Sequence, residues 1–71
     1  MNVGDLRKEA AKEGRYSVME QTLILRLASD TEMFLSLNPT DQEAQERTKK
    51  VDSIMEGIVE KAMEREGDIS D

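Results

Sequence analysis

The sequence predicts an all-α protein: a short N-terminal helix followed by a long antiparallel helical hairpin. Three observations carry that prediction. Ser17 with Glu20, and Thr40 with Glu43, fit the S/T-x-x-E capping box, in which two side chains satisfy orphan backbone donors of a helix's first turn. Ala44, Thr48, Val51, Met55, Ile58 and Ala62 follow the second box at alternating steps of four and three, the spacing of a coiled-coil seam. Asn38-Pro39 separates the two helical patterns, and a residue before proline is pushed out of the α region.

Residues 1–16 read as an arm. Met1 to Gly4 are expected to be loose, with Asp5 as N-cap or early acidic residue of a helix over Asp5 to Glu13. Leu6, Ala10 and Ala11, joined by Val3, give it a thin apolar stripe, and Gly14 is placed to stop it. A helix this short is not stable alone, so it needs the rest of the fold.

The hairpin spans 17–67. Its first helix is expected over 18–37. On a helical wheel Leu23, Phe34, Leu27, Thr31, Ile24, Leu35 and Ala28 share an arc of about 140°. Met19 and Leu37 extend the arc, while Val18 and Leu25 lie on the far side. One neighbour does not need so wide a face. Either two neighbours cover it, or part of it meets another subunit or a target. The second helix is expected over 41–66, about 39 Å long at about 1.5 Å per residue. Ile54, Val59 and Met63 widen its seam, and Asp41 to Lys50 is nearly all polar. Gly57 lies inside it at a cost of about 1 kcal/mol against alanine. It reads as a tolerated defect or as a point of close approach by a neighbouring helix. Gly67 is the expected stop, with 68–71 as a short acidic tail. Links as short as Asn38 to Thr40 join antiparallel neighbours, and two such hairpins are expected to pair into a four-helix bundle.

Composition favours that self-association. A chain of 71 residues buries only about 60% of its unfolded surface. It has no cysteine and no histidine, and Tyr16 and Phe34 are its aromatic residues. Disulfides and thiolate metal sites are therefore excluded, and small scaffolds without such staples turn to partner chains. The net charge of −6 is concentrated in residues 39–71, which carry −5. Phosphate backbones and anionic membranes repel such a chain, so nucleic acid is a disfavoured partner. No apolar run exceeds the three residues of Leu23 to Leu25, too short to span a bilayer. No signal-peptide pattern precedes it, and the expected location is the cytoplasm.

Chemistry has little to work with. There is no Gly-rich phosphate loop, and Ser17, Ser29, Ser36, Ser53 and Ser70 have no histidine to activate them. Glu56, Glu60 and Glu64 stand four apart, but di-metal bundles add Glu-x-x-His motifs that are missing here. A solvated charged face is the expected reading. No catalytic residue, cofactor site or metal ligand is assigned, and the chain is not expected to be an enzyme.

Two stretches match DNA-binding patterns in outline. Lys8 to Val18, as helix–Gly14–helix, is similar to a helix-turn-helix, but the second helix opens with Glu20 and no basic residue. Thr22 to Leu27 reads Thr-Leu-Ile-Leu-Arg-Leu, an alternation compatible with a strand, and Ser29 with Glu32 forms a third capping box. In this order of elements the stretch 22–66 resembles the ribbon-helix-helix repressors. The resemblance implies a dimeric DNA-binding protein reading the major groove with Thr22, Ile24 and Arg26. Against it stand the acidic charge and Asn38-Pro39 inside the middle helix.

The favoured expectation is a small acidic helical protein acting through protein–protein contacts, as inhibitor, adaptor or assembly factor of a larger partner. Its expected partner or dimer interface is Leu23, Leu25, Leu27, Phe34, Val51, Met55, Ile58 and Met63. Glu56, Glu60 and Glu64 form a candidate acidic contact face, able to compete for a basic surface on another protein.

Overall fold

The computed structural model describes residues 1–70, with side chains described to Arg65. Three helices follow in order: α1 (Val3–Ala10), α2 (Val18–Ser36) and α3 (Asp41–Ser70).

Each helix starts where a side chain can close its first turn. For α1 that residue is Asn2, whose Oδ1 accepts from the backbone N–H of Asp5 at 2.8 Å. The helix therefore begins at Val3, ahead of the expected Asp5, and Asp5 serves as an acid in the first turn. It ends at Ala10, ahead of the expected Glu13. Gly14 takes φ +74° in the turn beyond the helix, a conformation that favours glycine. The boxes of α2 and α3 close as expected. Glu20 N–H donates to Ser17 Oγ at 3.1 Å and Ser17 N–H to Glu20 Oε1 at 2.9 Å. Glu43 N–H donates to Thr40 Oγ1 at 3.2 Å and Thr40 N–H to Glu43 Oε1 at 3.0 Å. Between them Asn38 adopts φ +56°, which asparagine tolerates, and Pro39 prevents the helix from continuing.

Two expectations are corrected. Thr22 to Leu27 is not a strand: it lies wholly within α2, and the described residues contain no strand. The Ser17 box starts the helix upstream, and Ile24, Ala28 and Thr31 then bury on one helical face. Gly67 does not stop α3, which runs to Ser70. A helical glycine costs only about 1 kcal/mol, and no proline follows it to enforce an end. Residues 68–70 of the expected tail are thus helical, and Asp71 lies outside the described residues.

The hairpin α2–α3 is antiparallel, and α1 folds back along α2. Gln21 Nε2 donates to the carbonyl of Ala10 at 3.2 Å, and Arg7 pairs with Glu32 at 3.1 Å further along. The N-terminus also reaches the hairpin: the ammonium of Met1 pairs with Asp52 on α3. The core takes one large, fully buried side chain from each helix, namely Leu6, Ile24 and Val51. Ala10, Ala28, Ala62, Met55 and Tyr16 complete it, with Val3, Leu27, Ile58 and Val59 packed at its edge. Two arginines of α3 reach across to α2 at opposite ends of the hairpin. Arg47 donates to the buried Thr31 hydroxyl at 3.3 and 3.4 Å, with its guanidinium 5.6 Å from the Phe34 ring centre. Arg65 forks onto Glu20 at 2.6 and 2.8 Å and also donates to the carbonyl of Arg15.

Because Leu6 anchors α1 in this single core, Leu6→Ala should cost about 2–5 kcal/mol. That is a large share of the about 5–15 kcal/mol typical of a domain. Urea unfolding should show a lower midpoint, and amide exchange in α1 should quicken. An unchanged midpoint would mean that α1 does not contribute to the cooperative unit.

Candidate functional site

The seam of α3 faces the core from Val51 to Ala62, while Thr48 is exposed, and an open apolar groove runs along each flank. The first groove, of about 710 Å³, has Met55, Val59 and Met63 along it and Met1 opposite. These three α3 residues repeat at every fourth position, so they form one row on the helix. The adjacent row, Asp52, Glu56, Glu60 and Glu64, also lines this groove. The candidate acidic face and two of the interface candidates therefore belong to one place.

The second groove, of about 500 Å³, lies between α2 and α3. Met19 and Leu23 line it from α2, and Ile54, Gly57 and Ile58 from α3. Arg65 and Glu20 sit in its lining too, joined by their ion pair. A Cβ added at Gly57 would meet nothing within 4 Å. The chain's own helices thus do not approach Gly57 closely, and the space above it is open.

The structure divides the expected interface into three groups. Val51 and Met55 are buried in the chain's own core. Leu27, Phe34 and Ile58 are half-buried, and Phe34 is already covered by Arg47. Leu23, Leu25 and Met63 remain exposed, at 50%, 47% and 56%. Leu23 and Met63 line different grooves, and Leu25 lines neither. Leu35, on the same expected arc, is also exposed, because α1 covers only part of α2. The role of Met1 was not legible, since nothing in the sequence ties a terminal residue to Asp52 fifty-one positions away.

Among the described residues no group of three or more acidic, histidine or cysteine side chains could hold a metal ion, and no helix is long and apolar enough to cross a membrane. No family model, curated protein or solved structure matches this chain. Its function has to be argued from the two grooves and the charges beside them.

Of the groups whose acidity the fold shifts, Glu20 lines the second groove, and Glu9, Tyr16 and Glu43 line neither. The Arg65 guanidinium, with the Ser17 backbone N–H, holds the Glu20 carboxyl at about 2, far below its ordinary 4.5. The Tyr16 hydroxyl, donating at 2.6 Å, does most to lower Glu9, helped by Lys12 and Arg15. Burial and this same carboxylate raise Tyr16. Backbone and hydroxyl bonds to Thr40 lower Glu43.

A carboxyl whose value is depressed on folding stabilises the fold above its unfolded value and loses that contribution as pH falls through its folded value. The Glu20 contribution should be complete above about pH 4.5 and lost progressively towards pH 2. Arg65→Gln should lower the urea midpoint at neutral pH and flatten its fall across that window. Parallel curves for the two proteins would show that the pair contributes nothing.

Proposed function

We propose that this chain works without catalysis, by protein–protein contact, as an inhibitor, adaptor or assembly factor of a larger partner, and that its working form is a homodimer. The observation that carries the reading is the second groove. Met19, Leu23 and Ile54 stand exposed along it, on the side of the hairpin where α1 does not pack. A hairpin with one covered and one open apolar side is completed by a second hairpin, giving a four-helix bundle. Apolar surface of this kind, left in water, favours association roughly in proportion to its area.

Gly57 fits this arrangement. Small residues let helix backbones approach, and the open space above Gly57 would admit a helix of the second copy. The mid-helix glycine then has a use that offsets its helix-propensity cost.

The test is mass in solution, with two variants. Light scattering should return about twice the chain mass of 8.0 kDa. Leu23→Asp should give a monomer with unchanged helix content by circular dichroism, since Leu23 is half exposed in the single chain. Gly57→Ala should separate fold from assembly. It should raise the stability of the single chain by up to about 1 kcal/mol, because its methyl meets nothing within the chain, yet weaken the dimer. A monomeric wild-type chain at high concentration would overturn the dimer.

A further inference from the structure

The first groove is unlike the second in its charge. Three of its glutamates, Glu56, Glu60 and Glu64, make no ion pair within the described residues. Asp52 alone is matched, by the Met1 ammonium. The nearby cations of α3, Lys61 and Arg65, lie along the other groove. Carboxylates repeated every four residues on one helix face repel one another, and a cation row laid beside them removes that cost. Below this row the groove is apolar and built from Met55, Val59 and Met63. Methionine side chains adapt to the shape of what they meet.

We propose that this groove takes a cationic amphipathic helix of another protein, and so specifies the partner class of the interaction reading on which it rests. The apolar face of that helix would fill the space between Met63 and Met1. Its lysines or arginines, spaced at helical turns, would pair with Glu56, Glu60 and Glu64. From Asp52 to Glu64 the row extends about 18 Å at about 1.5 Å per residue, enough for about three turns of a bound helix. Helix-in-groove recognition needs such a set of anchors at turn spacing.

A second copy of this chain is a poor occupant. No helix of the chain presents three cations at four-residue spacing to match the glutamate row. A small ligand is also a poor fit, because the groove is open along its length and offers carboxylates on one side alone.

The experiment is a titration of the full chain with a fluorescent synthetic peptide of about 18 residues, about five helical turns, with leucines on one face and lysines beside them. A control peptide keeps the leucines and replaces every lysine with glutamate. The lysine peptide should bind, more weakly as salt is raised, and the glutamate peptide should not. The triple variant Glu56→Gln, Glu60→Gln, Glu64→Gln should fold normally and bind about tenfold more weakly, for three partly exposed ion pairs. Met33→Gln, exposed outside both grooves, should leave peptide affinity unchanged.

Equal binding of the two peptides, or no loss in the glutamine variant, would overturn the proposal, since apolar adhesion would then explain the result. Absence of peptide binding would overturn it too. If the chain still dimerises in that case, the interaction reading stands and the partner class is wrong. Dissociation of the dimer by Met63→Asp would show that a second copy fills this groove, which also defeats the proposal.

Discussion

The constraint on which this structure depends is the burial of Leu6, Ile24 and Val51, one residue from each helix, in a single core cluster. A chain of 71 residues without cysteine has no covalent staple to fall back on. Its cohesion rests on burying apolar area at about 25 cal/mol per Å² against a large loss of chain entropy. Alanines at 10, 28 and 62 accompany the three large residues in that core. They contribute little area themselves but allow the backbones to come close. The result is a thin core inside a body 47 Å long and 18 by 15 Å across.

A thin core leaves apolar residues over, and their distribution carries the functional argument. α1 is short and covers one side of the hairpin, so α2 and α3 keep exposed residues on the side it misses. Polar contacts at the two ends keep the hairpin in register, and the Arg65–Glu20 pair closes one end of that surface. Arg47 holds Thr31 and Phe34 near the connection, and Arg65 holds Glu20 at the open end. Neither the part-exposed Arg65–Glu20 pair nor the hydrogen bond of Arg47 to Thr31 adds much stability by itself. Their value lies in fixing the alignment of two helices whose apolar faces are otherwise tolerant of sliding.

Much of this was legible in the sequence, for local reasons. The Ser17–Glu20 and Thr40–Glu43 boxes involve residues three apart, so α2 and α3 could be started at the right positions from chemistry alone. The four-and-three spacing from Ala44 to Ala62 likewise located the face of α3, with Val51, Met55 and Ala62 buried. What failed was also local in origin. Asn2 caps α1 although Asp5 is equally suited to the role by residue type, and Gly67 has no neighbour that enforces a stop. The alternation in Thr22 to Leu27 imitates a strand, but six residues cannot outweigh the helical period that runs on through Ala28 and Thr31. The grooves were only half legible. Glu56, Glu60 and Glu64 could be placed on one face, but their proximity to Met55 and Met63 depends on the helix wheel together with the position of Met1. The division of the interface candidates between core and surface depends on how far α1 reaches, which no local pattern records.

In the proposed dimer the chain buries one side of its hairpin by itself and the other against a second copy. The methionines report on it directly, because they are distributed over every relevant surface. Met19 is 75% exposed in the second groove, Met33 is 68% exposed outside both, and Met55 is 2% exposed in the core. Oxidation of each methionine, followed by mass spectrometry across a dilution series, is the decisive measurement. The account predicts that Met19 is protected at high concentration and becomes reactive on dilution, while Met33 reacts and Met55 resists throughout. Met19 reacting as fast as Met33 at every concentration would contradict it.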